Sequence, residues 1–139
     1  MHQLSNLLYI SSGPEKLSDQ ELVQLLEQSR KNNLLNNITG VLCAGGGHFL
    51  QVLEGSERDL IKLYAKIVDD SRHHDVALIG IAPIQARMFK NWSMAYIEKS
   101  AVAMHLRRDQ LLSYRNHHGH GVELVRAMQH LLEMLKYDV

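Results

Sequence analysis

Three consecutive glycines, Gly45, Gly46 and Gly47, constrain the fold of this chain more than any other feature. They separate two apolar segments of strand length, residues 38–44 and 48–54. Glycine readily adopts the left-handed backbone conformations of a tight turn between antiparallel strands. The sequence therefore predicts a β-hairpin near the middle of the chain, around which the other elements must be arranged.

Helix signals lie on both sides of this hairpin. Ser18 and Glu21 have the spacing of a capping box, and leucines follow at helical spacing, which predicts a helix that ends near residue 32. After the hairpin, Ser56 is placed to cap a second helix, whose apolar residues recur at i, i+3, i+4 and i+7. Two helices are therefore predicted to flank the hairpin.

Strand patterns complete the order β-α-β-β-α-β-β. Residues 4–11 alternate, with Leu8 on one face and Tyr9 on the other, and further strands are predicted at residues 76–82 and 92–97. This order is that of a ferredoxin-like βαββαβ unit with an additional strand. We expect an α+β fold in which a five-stranded mixed sheet carries two helices on one face.

The last part of the chain has a different pattern. A weak helical periodicity covers residues 106–114, residues 116–121 are polar, and a strong apolar stripe follows. We expect residues 1–100 to form the core domain and residues 101–139 to form an extension of two helices packed on the uncovered face of the sheet. The stripe consists of Leu124, Val125, Met128, Leu131, Leu132 and Leu135.

The charge balance excludes several classes of partner. Lys+Arg and Asp+Glu both number 15, so the net charge is zero with histidine neutral, and binding to nucleic acid or to an anionic membrane is not expected. Residues 48–54 also lack the basic and stacking positions of an RNA-recognition strand. The single cysteine, Cys43, the absence of a stretch near the ~18 apolar residues of a membrane span, and an N-terminus without a signal pattern together predict a cytoplasmic protein.

Gln51 is the most informative single position. Alternation places it on the same strand face as Phe49 and Leu53, so that an amide lies within an apolar stripe. Burying an amide without partners costs roughly 1–3 kcal/mol, so other groups must hydrogen-bond it. Tyr9 faces inward from the first strand and is a candidate partner. The alternative is a core glutamine that is satisfied by the backbone.

Four further positions have both a structural and a functional interpretation. Asn33, at the end of the first helix, is either a cap or an amide presented to the polar edge of a ring. Trp92 and Met94 are expected on one strand face as core residues, and a methionine there is also suited to lie beside an aromatic ring. Arg72 belongs either to a solvated loop or to a phosphate site that uses its fork of donors.

The sequence shows none of the familiar catalytic or metal-binding patterns. The three glycines turn a hairpin and do not open a helix, unlike a nucleotide-binding loop. No Ser-His-Asp or Cys-His grouping follows from the spacing. The best metal candidate is the cluster of His117, His118 and His120, which has neither a nearby cysteine nor a helical i, i+4 pair. We therefore predict neither an enzyme nor a metal site.

Six segments taken together resemble a BLUF domain, the blue-light sensor that uses flavin, of the short single-domain type. The resemblance runs from about residue 4 to residue 97, and the segments occur in the family's order at matching strand and helix positions. They are Leu8-Tyr9-Ile10-Ser11, Ser29-Arg30-Lys31-Asn32-Asn33, Ile38-Thr39-Gly40-Val41-Leu42, Phe49-Leu50-Gln51-Val52-Leu53-Glu54-Gly55, Arg72-His73 and Arg87-Met88-Phe89-Lys90-Asn91-Trp92-Ser93-Met94.

This resemblance implies a flavin site and a light-driven switch. The isoalloxazine ring would lie between the two core helices, with Asn33 and Gln51 hydrogen-bonded to its polar edge. Tyr9 would give an electron and then a proton to the excited flavin. Gln51 would then rotate or change tautomer, and its new bond to a ring carbonyl would shift absorption to the red. Met94 would lie beside this pair, and Trp92 would lie either inside or outside the flavin pocket. The ribityl chain and phosphates would be contacted by Lys31, Asn32, Arg72 and His73.

The resemblance also implies how such a protein works. The cofactor would be FAD, with FMN or riboflavin as alternatives, and the sensor would signal to a separate effector protein and form a homo-oligomer. A different hypothesis is a ferredoxin-like small-ligand-binding or oligomerisation module without photochemistry. The pair of Tyr9 and Gln51 discriminates between the two, because a plain binding module has no need of it.

Overall fold

Eight helices and strands follow one another in the part of the chain that the structure, a computed structural model, describes: residues 3–14 and 17–118. Up to the last strand their order is the predicted one. The elements are β1 (Leu4–Ser12), α1 (Asp19–Leu35), β2 (Thr39–Gly45), β3 (His48–Ser56), α2 (Glu57–Val68), β4 (His74–Ile84), β5 (Ala95–Glu98) and α3 (Ala101–His118).

The five strands form one mixed sheet in the order β4-β1-β3-β2-β5. β1 pairs with β3 and β4, and β2 pairs with β3, all antiparallel, whereas β5 pairs in parallel with β2. The helices α1 and α2 pack on one face of this sheet. The predicted ferredoxin-like α+β fold with an additional strand and two helices on one face is therefore confirmed.

Both core helices begin at the predicted caps. The Glu21 amide donates to Ser18 Oγ (3.1 Å), and Glu21 Oε1 accepts from the Ser18 amide (3.2 Å), which completes the capping box of α1. The Asp59 amide donates to Ser56 Oγ (3.2 Å) at the start of α2. These caps satisfy backbone donors that have no partner within the helix.

Alternation along the strands divides the sheet into two faces. On β1, Leu7 and Tyr9 point towards α1 and α2, and we call this side the α1/α2 face. Leu8 and Ile10 point the other way, towards Met104 and Leu111 of α3, and we call that side the α3 face. The other buried apolar residues of the α3 face are Val41, Cys43, Leu50, Val52, Ile79, Phe89 and Ile97.

The glycine turn forms the predicted hairpin. Gly46 and Gly47 have φ values of +58° and +82°, which glycine adopts without steric cost. Gly45 precedes them, and a methyl group in place of its hydrogen would lie 2.0 Å from the Lys99 carbonyl oxygen. The Lys99 amide donates to the Ala44 carbonyl (2.9 Å). The hairpin is thus joined closely to the backbone that leads from β5 into α3.

Two predicted element boundaries need correction. The strand predicted at residues 92–97 begins only at Ala95, because the Trp92 amide donates to the Phe89 carbonyl (3.0 Å) in a turn. The first helix passes residue 32 and ends at Leu35, where Asn36 forms the C-cap. The following Asn37 has a φ of +55°, so the helix cannot continue through it.

The helix that follows β5 is longer at both ends than the sequence pattern predicts. α3 begins at Ala101, before the weak periodicity at residues 106–114, and continues through Asn116 to His118. Residues 119–139, which include the apolar stripe from Leu124 to Leu135, lie outside the described residues. The histidine cluster also extends beyond them.

The described residues contain neither a candidate membrane span nor a candidate metal-binding cluster. No helix among them is long and apolar enough to cross a membrane. They also contain no group of three or more histidine, cysteine, aspartate or glutamate side chains that could hold a metal ion.

Candidate functional site

A cavity of about 220 Å³ lies between α1, α2 and the sheet. Its walls combine apolar side chains with a set of amides and charged groups, which is the composition of a small-molecule site. The polar lining comes from Tyr9, Gln28, Ser29, Asn32, Asn33, Gln51, Lys66, Asp70, Arg72 and His73, and the apolar lining from Leu25, Leu42, Phe49, Leu63, Ile67 and Met94.

Tyr9 and Gln51 form the centre of this site. They are directly opposite each other in the antiparallel β1–β3 pairing, so their side chains emerge side by side on the α1/α2 face. The Tyr9 hydroxyl donates a hydrogen bond to Gln51 Oε1, and both residues are buried. The predicted pairing of an inward phenol with a buried amide is therefore present in the structure.

The other end of the Gln51 amide faces a weaker partner. Gln51 Nε2 donates to the sulfur of Met94 at 3.4 Å. A thioether is a poor acceptor compared with an oxygen atom, so this contact is easily exchanged for a stronger one. The amide therefore has an oxygen-bound donor at its oxygen and only a weak acceptor at its nitrogen.

The surroundings of Tyr9 keep its phenol protonated. Its ring lies 5.7 Å from the Tyr64 ring and 6.3 Å from the His73 ring. Burial raises the pKa of Tyr9 far above its ordinary value, and the nearby Tyr64 and Asp70 act in the same direction. The hydroxyl therefore carries its proton at neutral pH and points it at Gln51.

Two side chains of α1 hold the backbone that leads into β5. Asn33 Nδ2 donates to the Ser93 carbonyl at 2.6 Å, and Arg30 Nε donates to the Met94 carbonyl at 2.9 Å. These bonds join the helix to the segment that carries the Met94 sulfur. Asn33 is accordingly not a helix cap, since its amide is buried and directed into the site.

The mouth of the cavity carries charge. Arg72 is half-exposed and forms an ion pair with Asp70 (2.5 Å). His73 is anchored at both ring nitrogens, to Ser11 Oγ at 2.9 Å and to the Ile67 carbonyl. A carbonyl only accepts, so Nε2 carries the proton that bonds Ile67, and this fixes the orientation of the ring.

Two of the predicted site residues lie elsewhere. Lys31 is exposed on α1 and does not line the cavity. Trp92 stacks on Phe89, with ring centroids 5.5 Å apart, and packs against the core of the α3 face. The prediction that Trp92 and Met94 share a strand face is wrong, because both precede β5 and their side chains enter opposite cores.

Glu54 supports the site and was not singled out from the sequence. Its buried carboxylate accepts from the amides of Met88 (2.7 Å) and Phe89 (2.9 Å) and from Thr39 Oγ1 (2.9 Å). These bonds secure the segment between β4 and β5 that ends at Met94. The available signal was a carboxylate inside an otherwise apolar strand, since such a group is buried only with several donors around it.

One family model matches this chain, over residues 4–95. It is described as "BLUF: Sensors of blue-light using FAD". The match covers every element from β1 to the start of β5, and therefore the whole of the cavity's lining.

Known proteins resemble the chain in sequence and in structure. It is 32% identical over 101 residues to the photoactivated adenylate cyclase subunit beta of Euglena gracilis, which is 72% of this chain but only 12% of the relative. The match to the solved dark-state structure of BlrB, a BLUF protein, covers 100% of this chain and 99% of the BlrB chain, with 30% identity and a TM-score of 0.73. The match to the photo-activated state of BlsA covers 93% of this chain and 94% of the BlsA chain, with 27% identity and a TM-score of 0.70.

Proposed function

The chain belongs to the BLUF family of blue-light sensors that use FAD, and from this premise we propose that Tyr9 and Gln51 are its light-sensitive pair. The observation that carries the proposal is the hydrogen bond from the Tyr9 hydroxyl to Gln51 Oε1, with the opposite end of the same amide on the Met94 sulfur. The phenol of Tyr9 can be oxidised, the amide of Gln51 can be turned end for end, and the sulfur of Met94 is a weak acceptor. These three groups are linked by hydrogen bonds in the wall of the cavity.

The cavity has the chemistry that a flavin requires. Leucine and isoleucine side chains from α1 and α2 provide apolar walls, while Asn33 and Gln51 provide buried amides at one side. Arg72 and Lys66 bring positive charge to the mouth. A flat apolar ring with a polar edge and an anionic tail matches this distribution of groups.

Each lining residue then has a separate task. We assign the polar edge of the ring to Asn33 and Gln51, and the ribityl chain and phosphate groups to Asn32, Arg72 and His73. Because Lys31 lies outside the lining, we assign it no contact. FAD is the proposed cofactor, following the family's description; FMN and riboflavin have the same ring and ribityl chain and differ from FAD in the groups after the ribityl chain, the first of which is the phosphate at the mouth.

The protein's part of the photochemistry is the movement of one electron and one proton. When bound, a flavin excited by blue light supplies a strong electron acceptor. Tyr9 would give one electron to that acceptor, and one proton would follow through Gln51: Oε1 takes up the Tyr9 hydroxyl proton along the existing bond while Nε2 releases one to the acceptor. Gln51 then turns or changes tautomer, because its contact to Met94 is the weaker of its two bonds.

The signal has a short route to the far side of the sheet. Met94 is followed directly by β5, and β5 leads through Lys99 and Ser100 into α3. A change at the Met94 sulfur therefore acts on the strand that positions α3. We propose that residues 1–100 are the flavin-binding core and that residues 101–139 pass the signal on.

We also propose that this chain is a signalling protein and not an enzyme. The chain covers 99% of the BlrB chain and 94% of the photo-activated BlsA chain, and about an eighth of the matched cyclase subunit. Its output would then be a contact with a separate effector, or with a second copy of itself, in the cytoplasm.

Absorption spectroscopy of the purified chain tests the proposal. We expect a yellow protein whose flavin bands shift slightly to the red under blue light and recover in the dark. A chain that takes up no flavin when riboflavin, FMN and FAD are added would overturn the assignment. A chain that binds flavin but shows no reversible shift would be a binding module without photochemistry.

A further inference from the structure

The mouth of the cavity contains a carboxylate that the proposed switch does not use. Asp70 lies just after α2, in the turn that also carries Arg72 and His73. It lines the cavity together with Arg72 and Lys66. A negative charge is unexpected at the place where the anionic part of a cofactor would pass.

Asp70 occupies the donors of Arg72. Arg72 Nε lies 3.0 Å from Oδ1 and 3.1 Å from Oδ2, and Nη2 lies 2.5 Å from Oδ2. This is the fork-to-fork geometry in which a guanidinium also binds a phosphate. The guanidinium also has a long contact, from Nη1 to Gln28 Oε1 at 3.4 Å. A phosphate that uses the Arg72 fork must therefore compete with Asp70.

The carboxylate is charged under ordinary conditions. The hydrogen bonds from Arg72 hold the pKa of Asp70 below its usual range, and the charges of Arg72 and His73 act in the same direction. The Asp70 side chain is 30% exposed, so solvent screens its field only in part. Its charge thus opposes any anion that approaches the cavity mouth.

We propose that Asp70 sets the cofactor preference of this site by holding the Arg72 fork and thereby weakening the binding of flavins that carry a phosphate, relative to riboflavin. The inference rests on the proposed function, since it assumes that the cavity holds a flavin. It adds a discriminating residue at the mouth of the same cavity.

The experiment compares riboflavin with FMN on the full chain after removal of bound flavin. Dissociation constants are measured by quenching of flavin fluorescence for the natural chain and for Asp70→Asn. Asparagine keeps the size of the side chain and an Oδ1 that can accept from the Arg72 amide, a bond of 2.9 Å in the structure. We expect FMN to bind about threefold to tenfold more tightly to the variant, and riboflavin to change by less than about twofold.

Two controls make the result specific. In an Arg72→Gln background, Asp70→Asn should lose most of its effect on FMN, because the competition for the fork no longer exists. The gain in FMN affinity should also shrink in high salt, because the groups at the mouth are partly exposed.

The failure of this inference differs from the failure of the proposed function. If FMN binds equally or less tightly to Asp70→Asn while riboflavin binding is intact, Asp70 arranges Arg72 for the phosphate and the inference is overturned. Equal changes for both flavins would also overturn it, since Asp70 would then act on the ring site or the fold. If the natural chain binds neither flavin, the proposed function fails together with the inference.

Discussion

The two faces of the sheet are built from the same strands but contain different kinds of side chain. On β1, Leu8 and Ile10 enter a core of aliphatic, methionine and aromatic groups beneath α3. One residue away, Tyr9 enters the α1/α2 face, where Gln51 and Asn33 are also buried and a cavity of about 220 Å³ opens. The α3 face buries mainly apolar side chains, whereas the α1/α2 face leaves a space lined by both polar and apolar groups.

The difference assigns separate roles to the two faces of one sheet: the α3 face contributes mainly to stability, and the α1/α2 face holds the polar groups of the candidate site. Adjacent residues on a strand point to opposite faces, so each strand can contribute to both without compromise. A slip of one residue in the β1–β3 register would exchange Tyr9 with an aliphatic neighbour and destroy both faces together. The buried side chains of both faces therefore favour the register that places Tyr9 opposite Gln51.

The largest expected effect comes from removing one atom on the α1/α2 face. Tyr9→Phe deletes the hydroxyl that donates to Gln51 and keeps the ring, so flavin binding should persist and the light-induced red shift should disappear completely. Difference absorption spectra before and after blue light measure this. Tyr64→Phe is the matched control, because Tyr64 contacts the Tyr9 ring from α2, and it should still switch. A normal photocycle in Tyr9→Phe would exclude Tyr9 as the donor.

A substitution on the α3 face should lower stability and leave the light-induced red shift unchanged. Leu111→Ala removes a buried side chain from the core beneath α3 and should lower the free energy of unfolding by about 2–5 kcal/mol. In the folded fraction the red shift should remain. Urea denaturation gives the stability, and Leu106→Ala, at a position on the same helix that is 58% exposed, should change it by less than about 0.5 kcal/mol. Loss of the red shift in folded Leu111→Ala would show that the faces are not separable in this way.

Asn33→Ala should have a smaller effect that falls on cofactor binding. The variant loses the amide that we assign to the ring edge, together with its bond to the Ser93 carbonyl. Riboflavin affinity should fall by about 1–3 kcal/mol, the usual loss for one buried hydrogen-bonding group. Titration of the flavin-free chain with riboflavin measures this loss. An unchanged affinity would mean that Asn33 only holds the segment before β5.

The smallest expected effect concerns pH and lies at the hairpin end of the α3 face. Burial lowers the pKa of His48, and the neighbouring Arg108 and His105 of α3 lower it further, while Asp109 opposes them. The folded state therefore binds fewer protons than the unfolded state, and stability should decrease as the pH falls through the ordinary histidine pKa of about 6.5. Below the lowered pKa of the folded state the loss is complete.

His48→Gln should weaken this acid sensitivity. The measurement is the urea midpoint of the natural chain and of the variant at several pH values between about 7.5 and about 5. These values lie on both sides of the ordinary histidine pKa. If the two chains lose stability in parallel as the pH falls, the titration of His48 makes no contribution.

Much of the architecture follows from local signals in the sequence. Alternation placed Tyr9 and Gln51 on one face, and the caps at Ser18 and Ser56 marked the starts of both core helices. The three glycines identified the hairpin. Each of these features depends on residues close together in the chain, which is why a sequence pattern can reveal them.

The segment before β5 could not be predicted in the same way. Its path depends on bonds from distant residues, namely the Glu54 carboxylate on β3 and the side chains of Arg30 and Asn33 on α1. These contacts give Trp92 and Met94 opposite directions, although they are only two positions apart. The engagement of Arg72 by Asp70 was also missed, because an isolated arginine in a polar loop does not reveal its partner.

The close contact between the hairpin and α3 has a practical consequence for protein engineering. Surface turns are normally the places where a protein tolerates an inserted peptide, a fluorescent label or a fused domain. The β2–β3 turn does not offer this freedom although Gly46 is exposed, because even a methyl group there would lie 2.3 Å from Ala101 Cβ. A label attached at this turn would push α3 away from the sheet and alter the movement that it was meant to report.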